Sequence, residues 1–137
     1  CTATGYGTKP PPTAKLKVWT VDERNGIIFV YHDENGNAPA WQLPLLDTTG
    51  WTQYATTVFN LNGHAQETTE NIADVGHFDW IHGYDEVAEE TKAKTEGAVF
   101  SVDYAFSRFA SEFGRIGKIR VHFTAVAYGL GYSYVDT

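Results

Sequence analysis

The residues best suited to chemistry lie close together in one run of the chain, residues 70–82, which reads ENIADVGHFDWIH. This run contains His77 and His82, preceded by Asn71 and Asp74. Imidazole and carboxylate groups together form a ligand set that divalent transition metals bind in proteins. A metal site is therefore one interpretation of the run. The other is that both histidines are ordinary residues at a helix end, satisfied by backbone groups or by nearby carboxylates.

The spacing of the histidines limits how they can act together. On a helix, Asn71, Asp74 and His77 follow one another at i+3 and share a face. His82 comes five residues after His77, which is about 140° around a regular helix. The two imidazoles can therefore bind one ion only if the helix loosens or breaks between them, a distortion that is common at functional sites. Gly76 weakens the helix at this point.

A histidine pair also needs a third ligand to complete the two-histidine, one-carboxylate set of non-haem Fe(II) oxygenases. Asp79 lies about 200° around the helix from His77 and is a poor candidate. Asp85 is three residues after His82 and could reach, although the spacing does not single it out. Phe78 stands beside the first histidine and the pair is not at i, i+4 around a Glu, which argues against a zinc metalloprotease. The remaining histidines are expected to be surface, capping or sheet residues: His32, His64 and His122.

Composition and charge narrow the class of protein. The chain has 137 residues, of which 42% are hydrophobic and 15% aromatic, enough for the core of one domain or for parts of two. Residues 60–96 carry nine of the 17 Asp and Glu residues and only two lysines, so they account for the whole net charge of −7. This acidity argues against a nucleic acid or an anionic membrane surface as partner. No run approaches the roughly 18 apolar residues of a membrane span.

The chain has one cysteine, Cys1, and no methionine. A single cysteine excludes an internal disulfide framework and any multi-cysteine metal site within this chain. The missing methionine leads us to expect a processed protein or a piece of a longer one. An alternative is that Cys1 is the lipidated first residue of a lipoprotein, although such proteins usually have a longer polar tether before structure begins.

The elements that would position these residues can be predicted from the pattern along the chain. In the first third, an extended Gly- and Pro-rich lead-in precedes an alternating strand, an Asn-Gly turn, a second strand and a connector. These predicted elements are residues 1–14, 15–21, 25–26, 27–31 and 32–46. The remainder predicts a strand, a helix, a turn and two long strands with glycines between them. Their bounds are residues 51–61, 64–82, 92–97, 98–109 and 118–134, with Gly114 and Gly117 in the last link. The fold class is therefore α+β with antiparallel sheet.

Three stretches of the sequence resemble one family, the Rieske-type non-haem iron oxygenases. The run ENIADVGHFDWIHG resembles their mononuclear iron motif, in which an asparagine and an aspartate precede two histidines. The stretch NGIIFVYHDENGNAPAWQLP resembles the end of the Rieske domain and the exit to the catalytic domain. CTATGYGTKPPPTAKLKVW resembles the strands that follow the second cluster-binding loop. These stretches are similar in sequence to the oxygenase components of 3-ketosteroid 9α-hydroxylases and to cholesterol 7-desaturases. We therefore expect the chain to be an internal fragment of such a protein.

The resemblance implies a role for each residue of the motif. His77 and His82 would be two iron ligands, and Asp74 the carboxylate that bridges the iron site electronically to a Rieske cluster in an adjacent subunit. Asn71 would be a polar neighbour of the iron. The third ligand, a downstream aspartate, and the Cys-His pairs that hold the [2Fe–2S] cluster have no counterpart in this chain.

The resemblance also implies a fold and a function. Residues 1–46 would be the last strands of a Rieske domain with the connector, and residues 47–137 the start of a helix-grip catalytic domain. The full-length enzyme would use O2 and electrons from NAD(P)H, delivered by a ferredoxin or flavin reductase, to hydroxylate or desaturate a bulky hydrophobic substrate such as a steroid. It would be a cytoplasmic homotrimer with Fe(II) and [2Fe–2S], and this chain alone would be inactive. Two alternatives stay open: a non-catalytic helix-grip module that binds a hydrophobic ligand, and an aromatic-ring-hydroxylating dioxygenase alpha subunit.

Overall fold

The computed structural model of the protein describes residues 7–112 and 115–137. The chain divides into two compact units, Cys1–Gln53 and Tyr54–Thr137. The predicted domain boundary between residues 46 and 47, and the identity of each domain, stay predictions. Cys1 lies outside the described residues, so the structure adds nothing to the lipoprotein alternative.

The first unit contains an antiparallel hairpin of β1 (Thr20–Arg24) and β2 (Ile27–Tyr31). The turn is Asn25-Gly26 with φ values of 54° and 74°, the conformation that Asn-Gly favours in two-residue hairpin loops. The hairpin and its turn were predicted, but the strand predicted from residue 15 begins only at Thr20. The physical reason is pairing, since Tyr31 at the end of β2 is opposite Thr20 and no described strand pairs with residues 15–19.

The connector after the hairpin is held by the turn residue itself. The Asn25 amide group donates to the Pro44 carbonyl at 3.0 Å, and the Leu46 backbone N–H donates to the Asn25 side-chain oxygen at 2.9 Å. Residues 32–46 form no strand or helix, as predicted. The strand predicted at residues 51–61 is wrong, because this segment pairs with no described strand and leaves Val58 and Phe59 exposed.

The second unit begins with two short helices, α1 (Ala65–Glu70) and α2 (Gly76–Trp80). The single helix predicted for residues 64–82 is therefore wrong. The Asp74 carboxylate accepts a hydrogen bond from the Gly76 backbone N–H at 3.0 Å, and this local turn competes with a continuous helix. His64 caps α1 by accepting from the Gln66 backbone N–H, which confirms its expected capping role.

Four antiparallel strands follow in the spatial order β3-β4-β5-β6. They are β3 (Asp85–Glu96), β4 (Val99–Glu112), β5 (Arg115–Tyr128) and β6 (Tyr132–Asp136). The turn predicted at residues 92–97 is wrong over most of its length, because the polar residues there form the exposed edge strand β3. The long strand predicted for residues 118–134 is two strands separated at Gly129, and Gly117 lies inside β5. The link at Gly114 lies outside the described residues.

The core lies on one face of this sheet. Alternate residues in the middle of β4 and β5 are buried on this face, and small residues that point to the opposite face, such as Ala105 and Ser107, are buried as well. The buried cluster consists of Val102, Tyr104, Phe106, Phe123 and Ala125. Ile72, Val75 and Phe78 of the helical segment pack against it. The α+β class with antiparallel sheet is confirmed, and within the described residues no helix is long and apolar enough to cross a membrane.

Candidate metal centre

The helix ends before the second histidine. The backbone N–H of Ile81 donates to the His77 carbonyl at 2.8 Å, and that of His82 reaches the same carbonyl at 3.3 Å. The second of these bonds spans five residues, which makes a wider, π-type turn. His82 therefore lies beyond α2, and the centroids of the His77 and His82 rings are 5.2 Å apart. The break that the spacing requires for a shared ion is thus present.

His77 is fixed in one orientation and one tautomer. Its side chain is buried, with 6% of the residue exposed, and its Nδ1 lies 2.5 Å from the backbone carbonyl oxygen of Asp74. Because a carbonyl can only accept, Nδ1 carries the hydrogen and Nε2 keeps its lone pair in the neutral ring. This is the arrangement in which a metal-binding histidine is oriented by a second group.

The carboxylate of Asp74 takes a different position from its carbonyl. Its Oδ2 lies 4.0 Å from the same ring nitrogen of His77, and the side chain is 60% exposed. The hydrogen bond of the His77 ring goes to the Asp74 carbonyl and not to its carboxylate, because the backbone turns back over the ring. The Asp74 carboxylate therefore faces outward, one turn before the histidine.

The turn that carries Asn71 and Asp74 is anchored to the sheet. The hydroxyl of Tyr104, a residue of β4 with 1% exposure, donates to the carbonyl of Ile72 at 2.8 Å. Burial raises the pKa of Tyr104, and the nearby carboxylates of Glu89 and Asp74 raise it further, so the phenol stays protonated as a donor. This hydrogen bond therefore fixes the position of the turn at residues 71–74 relative to β4.

An open, mostly apolar cavity of about 300 Å³ lies beside the histidines. His77, His82 and Asn71 contribute its polar lining, together with Thr137. The apolar lining comes from both helix and sheet: Ile72, Phe78, Tyr84, Phe106, Phe123, Ala125 and Val135. Such a cavity, apolar with few polar groups at one end, is typical of a site for a small hydrophobic molecule.

An aromatic stack joins the cavity wall to the second histidine. The Tyr84 ring lies on Phe106 with centroids 4.1 Å apart and planes 8° from parallel. The His82 ring lies 5.4 Å from Tyr84, with the planes 19° apart. The sequence did not identify Tyr84 or Phe106 as residues of the site. Their contact depends on the packing of β4 against the turn after α2, which the sequence alone does not show.

The structure brings three of the sequence-predicted residues to one cavity, His77, His82 and Asn71. Asp85 instead lies 3.5 Å from Lys118, and the Asp79 side chain is exposed on α2. In residues 7–112 and 115–137, no three His, Cys, Asp or Glu side chains are placed to hold one metal ion. The described chain thus supplies a histidine pair, which fits two positions of a metal site.

The other histidines play the structural roles expected of them. The Nδ1 of His122 lies 2.9 Å from the Glu90 carboxylate across the sheet, and the His32 ring lies 5.3 Å from Trp19. Phe78 lines the cavity, whereas Trp80 is 89% exposed.

An antiparallel sheet with α2 and the turn before it packed on one face, and a histidine pair at an apolar cavity, define an α+β domain. Comparison with known families assigns this domain. Residues 30–137 match the family model described as the 3-ketosteroid 9alpha-hydroxylase C-terminal domain. The chain belongs to this family.

Individual relatives agree with this assignment. The chain is 34% identical over 88 residues to the oxygenase component of a 3-ketosteroid-9-alpha-monooxygenase from Rhodococcus rhodochrous, covering 60% of this chain and 23% of the relative. It is 35% identical over 80 residues to a cholesterol 7-desaturase from Hemicentrotus pulcherrimus, covering 56% of this chain and 17% of that protein. A cholesterol 7-desaturase from Drosophila melanogaster is 39% identical over 87 residues, 60% of this chain and 20% of its own length. The chain therefore spans less than a quarter of the length of these relatives.

Proposed function

We propose that this chain is part of an oxygenase of the Rieske non-haem iron type, which hydroxylates or desaturates a steroid-like substrate in its full-length form. The observation that carries the proposal is the pair His77 and His82, 5.2 Å apart between ring centroids, at the polar end of an apolar cavity. Membership of the 3-ketosteroid 9alpha-hydroxylase family supports the substrate class.

The histidine pair fits ferrous iron by its chemistry. Neutral imidazole nitrogen is a ligand that Fe(II) accepts, and the hydrogen bond from His77 Nδ1 leaves Nε2 as the donor atom. His77 and His82 would hold the ion, with a carboxylate from elsewhere in the protein as the third ligand. Iron held in this way supplies the activation of O2 that hydroxylation or desaturation requires.

The residues of this chain have further roles in the proposal. The apolar wall formed by Phe78, Phe106 and Phe123 would bind the hydrophobic body of the substrate and exclude water from the reacting carbon. Asn71 lines the same cavity and would donate or accept a hydrogen bond near the iron. Val135 on β6 lies in the same lining and would limit the size of the substrate.

Asp74 would connect the iron site to the electron supply. Its carboxylate is 60% exposed and lies on the turn that holds His77. It is thus available to a histidine of a Rieske cluster in a neighbouring subunit of a homotrimer, as the family resemblance implies. The name oxygenase component supports a separate ferredoxin or flavin reductase as electron donor. In this proposal residues 1–46 belong to the Rieske domain and residues 47–137 to the catalytic domain.

A second candidate function is a hydrophobic-ligand binding module without a metal. The cavity itself favours it, because its lining is mainly apolar and needs no ion to bind a lipid-like molecule. An aromatic-ring-hydroxylating dioxygenase differs from the favoured function in its substrate and in adding both oxygen atoms of O2 to the product, so product analysis separates the two.

The test uses the full-length protein, reconstituted anaerobically with Fe(II) and supplied with a reductase. We expect iron bound at the mononuclear site and an oxidised or desaturated steroid detected by mass spectrometry. His77→Ala and His82→Ala should each abolish turnover and lose this iron. The matched control is His122→Ala, which changes a 62% exposed histidine on the sheet. This variant should keep both its turnover and its mononuclear iron. Retained turnover in His77→Ala would refute the proposal that His77 and His82 form the iron site of an oxygenase. Binding of a hydrophobic ligand by a protein that holds no iron would favour the binding module.

A further inference from the structure

The two histidines of the candidate metal centre are held in different ways. His77 is buried and its ring nitrogen is hydrogen-bonded to the Asp74 carbonyl. His82 is exposed and lies after the end of α2. In the part of the chain that the structure describes, the contacts of the His82 ring are with other aromatic rings, those of His77, Phe78 and Tyr84.

Of these rings, Tyr84 is the one that lies nearly parallel to His82, at 19°. Tyr84 is itself fixed at two points. Its backbone N–H donates to the carbonyl of Phe78 at 3.0 Å, which closes the turn after α2. Its ring lies 4.1 Å from Phe106 with the planes 8° apart, and Phe106 is a core residue with 8% exposure.

We propose that Tyr84 is a positioning residue for His82. Its ring is held between the His82 imidazole and the buried Phe106 ring, so it restricts the rotation of a ligand that is otherwise exposed. This inference rests on the proposed function, in which His82 binds iron. The stacked face of Tyr84 replaces the hydrogen bond that fixes His77.

The physical gain is preorganisation of the metal site. An exposed histidine outside a helix can turn about both side-chain torsions, and binding an ion must stop that motion. Stacking on a rigid aromatic ring limits the rotation beforehand, as supporting residues around a functional site commonly do. Because the contact is between ring faces, the phenol hydroxyl of Tyr84 has no part in it. Phenylalanine should therefore serve as well as tyrosine.

The test measures Co(II) binding to the full-length protein that keeps its [2Fe–2S] cluster but lacks the mononuclear metal, with bound cobalt counted after equilibrium dialysis. Tyr84→Leu removes the ring and should weaken Co(II) binding about fivefold, the size expected for loss of one aromatic contact. Tyr84→Phe keeps the ring and should bind like the unaltered protein. Tyr54→Leu, at a 65% exposed tyrosine of the same unit, is the matched control for a general effect of losing a tyrosine.

A second measurement does not depend on the variant folding. In the metal-free unaltered protein, the ring protons of His82 should show an upfield NMR shift from the Tyr84 face, whereas those of His122, which pairs with Glu90, should not. Ring protons of His82 at the positions of a freely rotating histidine would overturn the inference.

The outcomes separate this inference from the function on which it rests. If the unaltered protein binds no Co(II) through His77 and His82, the proposed iron site fails and this inference fails with it. If it binds Co(II), and His82→Ala loses binding while Tyr84→Leu does not, the iron site stands and only the positioning role of Tyr84 is refuted.

Discussion

Replacing Tyr104 by phenylalanine removes a single oxygen from the core of the second unit and should loosen the candidate metal centre specifically. The Tyr104 hydroxyl donates to the Ile72 carbonyl at 2.8 Å, and this hydrogen bond joins β4 to the turn before His77. The phenyl ring of the variant keeps the core contacts with Phe78 and Phe123. The change therefore isolates the hydrogen bond from the packing.

The size of the effect follows from the burial of the two partners. Tyr104 is 1% exposed and Ile72 is half-buried, so water replaces the lost partner of the carbonyl only in part. A net hydrogen bond contributes about 0.5–1.5 kcal/mol, and an unsatisfied buried group adds to the loss. We therefore expect about 1–2 kcal/mol, equivalent to about 5- to 30-fold in an opening equilibrium.

Hydrogen–deuterium exchange of the full-length protein, read by mass spectrometry, locates this loss. Peptides covering residues 71–84 should exchange about 5- to 30-fold faster in Tyr104→Phe, because local opening of this segment becomes easier. Peptides from the β1–β2 hairpin, in the other unit, should exchange as before. The exposed Tyr54→Phe is the matched control. Unchanged exchange at residues 71–84, or an equal increase in both units, would refute the anchoring role.

Two further predictions concern the sheet. The hydroxyls of Thr124 and Thr91 donate to the Asp103 carboxylate at 2.6 and 2.7 Å and hold its pKa below the ordinary value. Because the folded pKa is lowered, the stabilisation is present above about pH 4 and is lost as the pH falls through the folded pKa. Thr124→Val should therefore reduce stability to urea at pH 7 more than at pH 3, and an equal loss at both would contradict this. Gly97 has a positive φ in the β3–β4 turn, so Gly97→Ala should cost about 1 kcal/mol, because the left-handed conformation is unfavourable for a residue with a Cβ atom. Thermal unfolding should show this loss, with Gly97→Asn less affected because asparagine tolerates this conformation.

Local chemistry was enough to predict some elements of the fold. The Asn25-Gly26 pair has one strongly preferred turn conformation, and the hairpin formed around it. The apolar alternation at residues 98–109 predicted a strand that the structure confirms as part of β4. In the same way, residue type and spacing identified His77 and His82 as a pair that needs a break in the helix.

Other elements depend on contacts that are distant in sequence. Residues 85–96 carry many charges and have little strand tendency, yet they form β3 because β4 offers a partner and the charged side chains still reach water. Residues 51–61 have the opposite character: their composition favours a strand, but no described strand pairs with them. Strand pairing decided both cases, and a single sequence does not display it.

The two supports of the histidine pair come from one strand. Tyr104 holds the turn that orients His77, and Phe106 holds the ring that lies against His82. These residues are two positions apart on β4, so they point to the same face of the sheet. Shifting the register of β4 by one residue would turn both away from the site. The β4–β5 ladder pairs every residue from Val99 to Glu112 without a bulge, whereas the β3–β4 ladder has three register shifts. The long, regular pairing of β4 with β5 therefore fixes the geometry of the candidate metal centre. The edge strand β3 carries neither Tyr104 nor Phe106, so its register shifts leave these two supports in place.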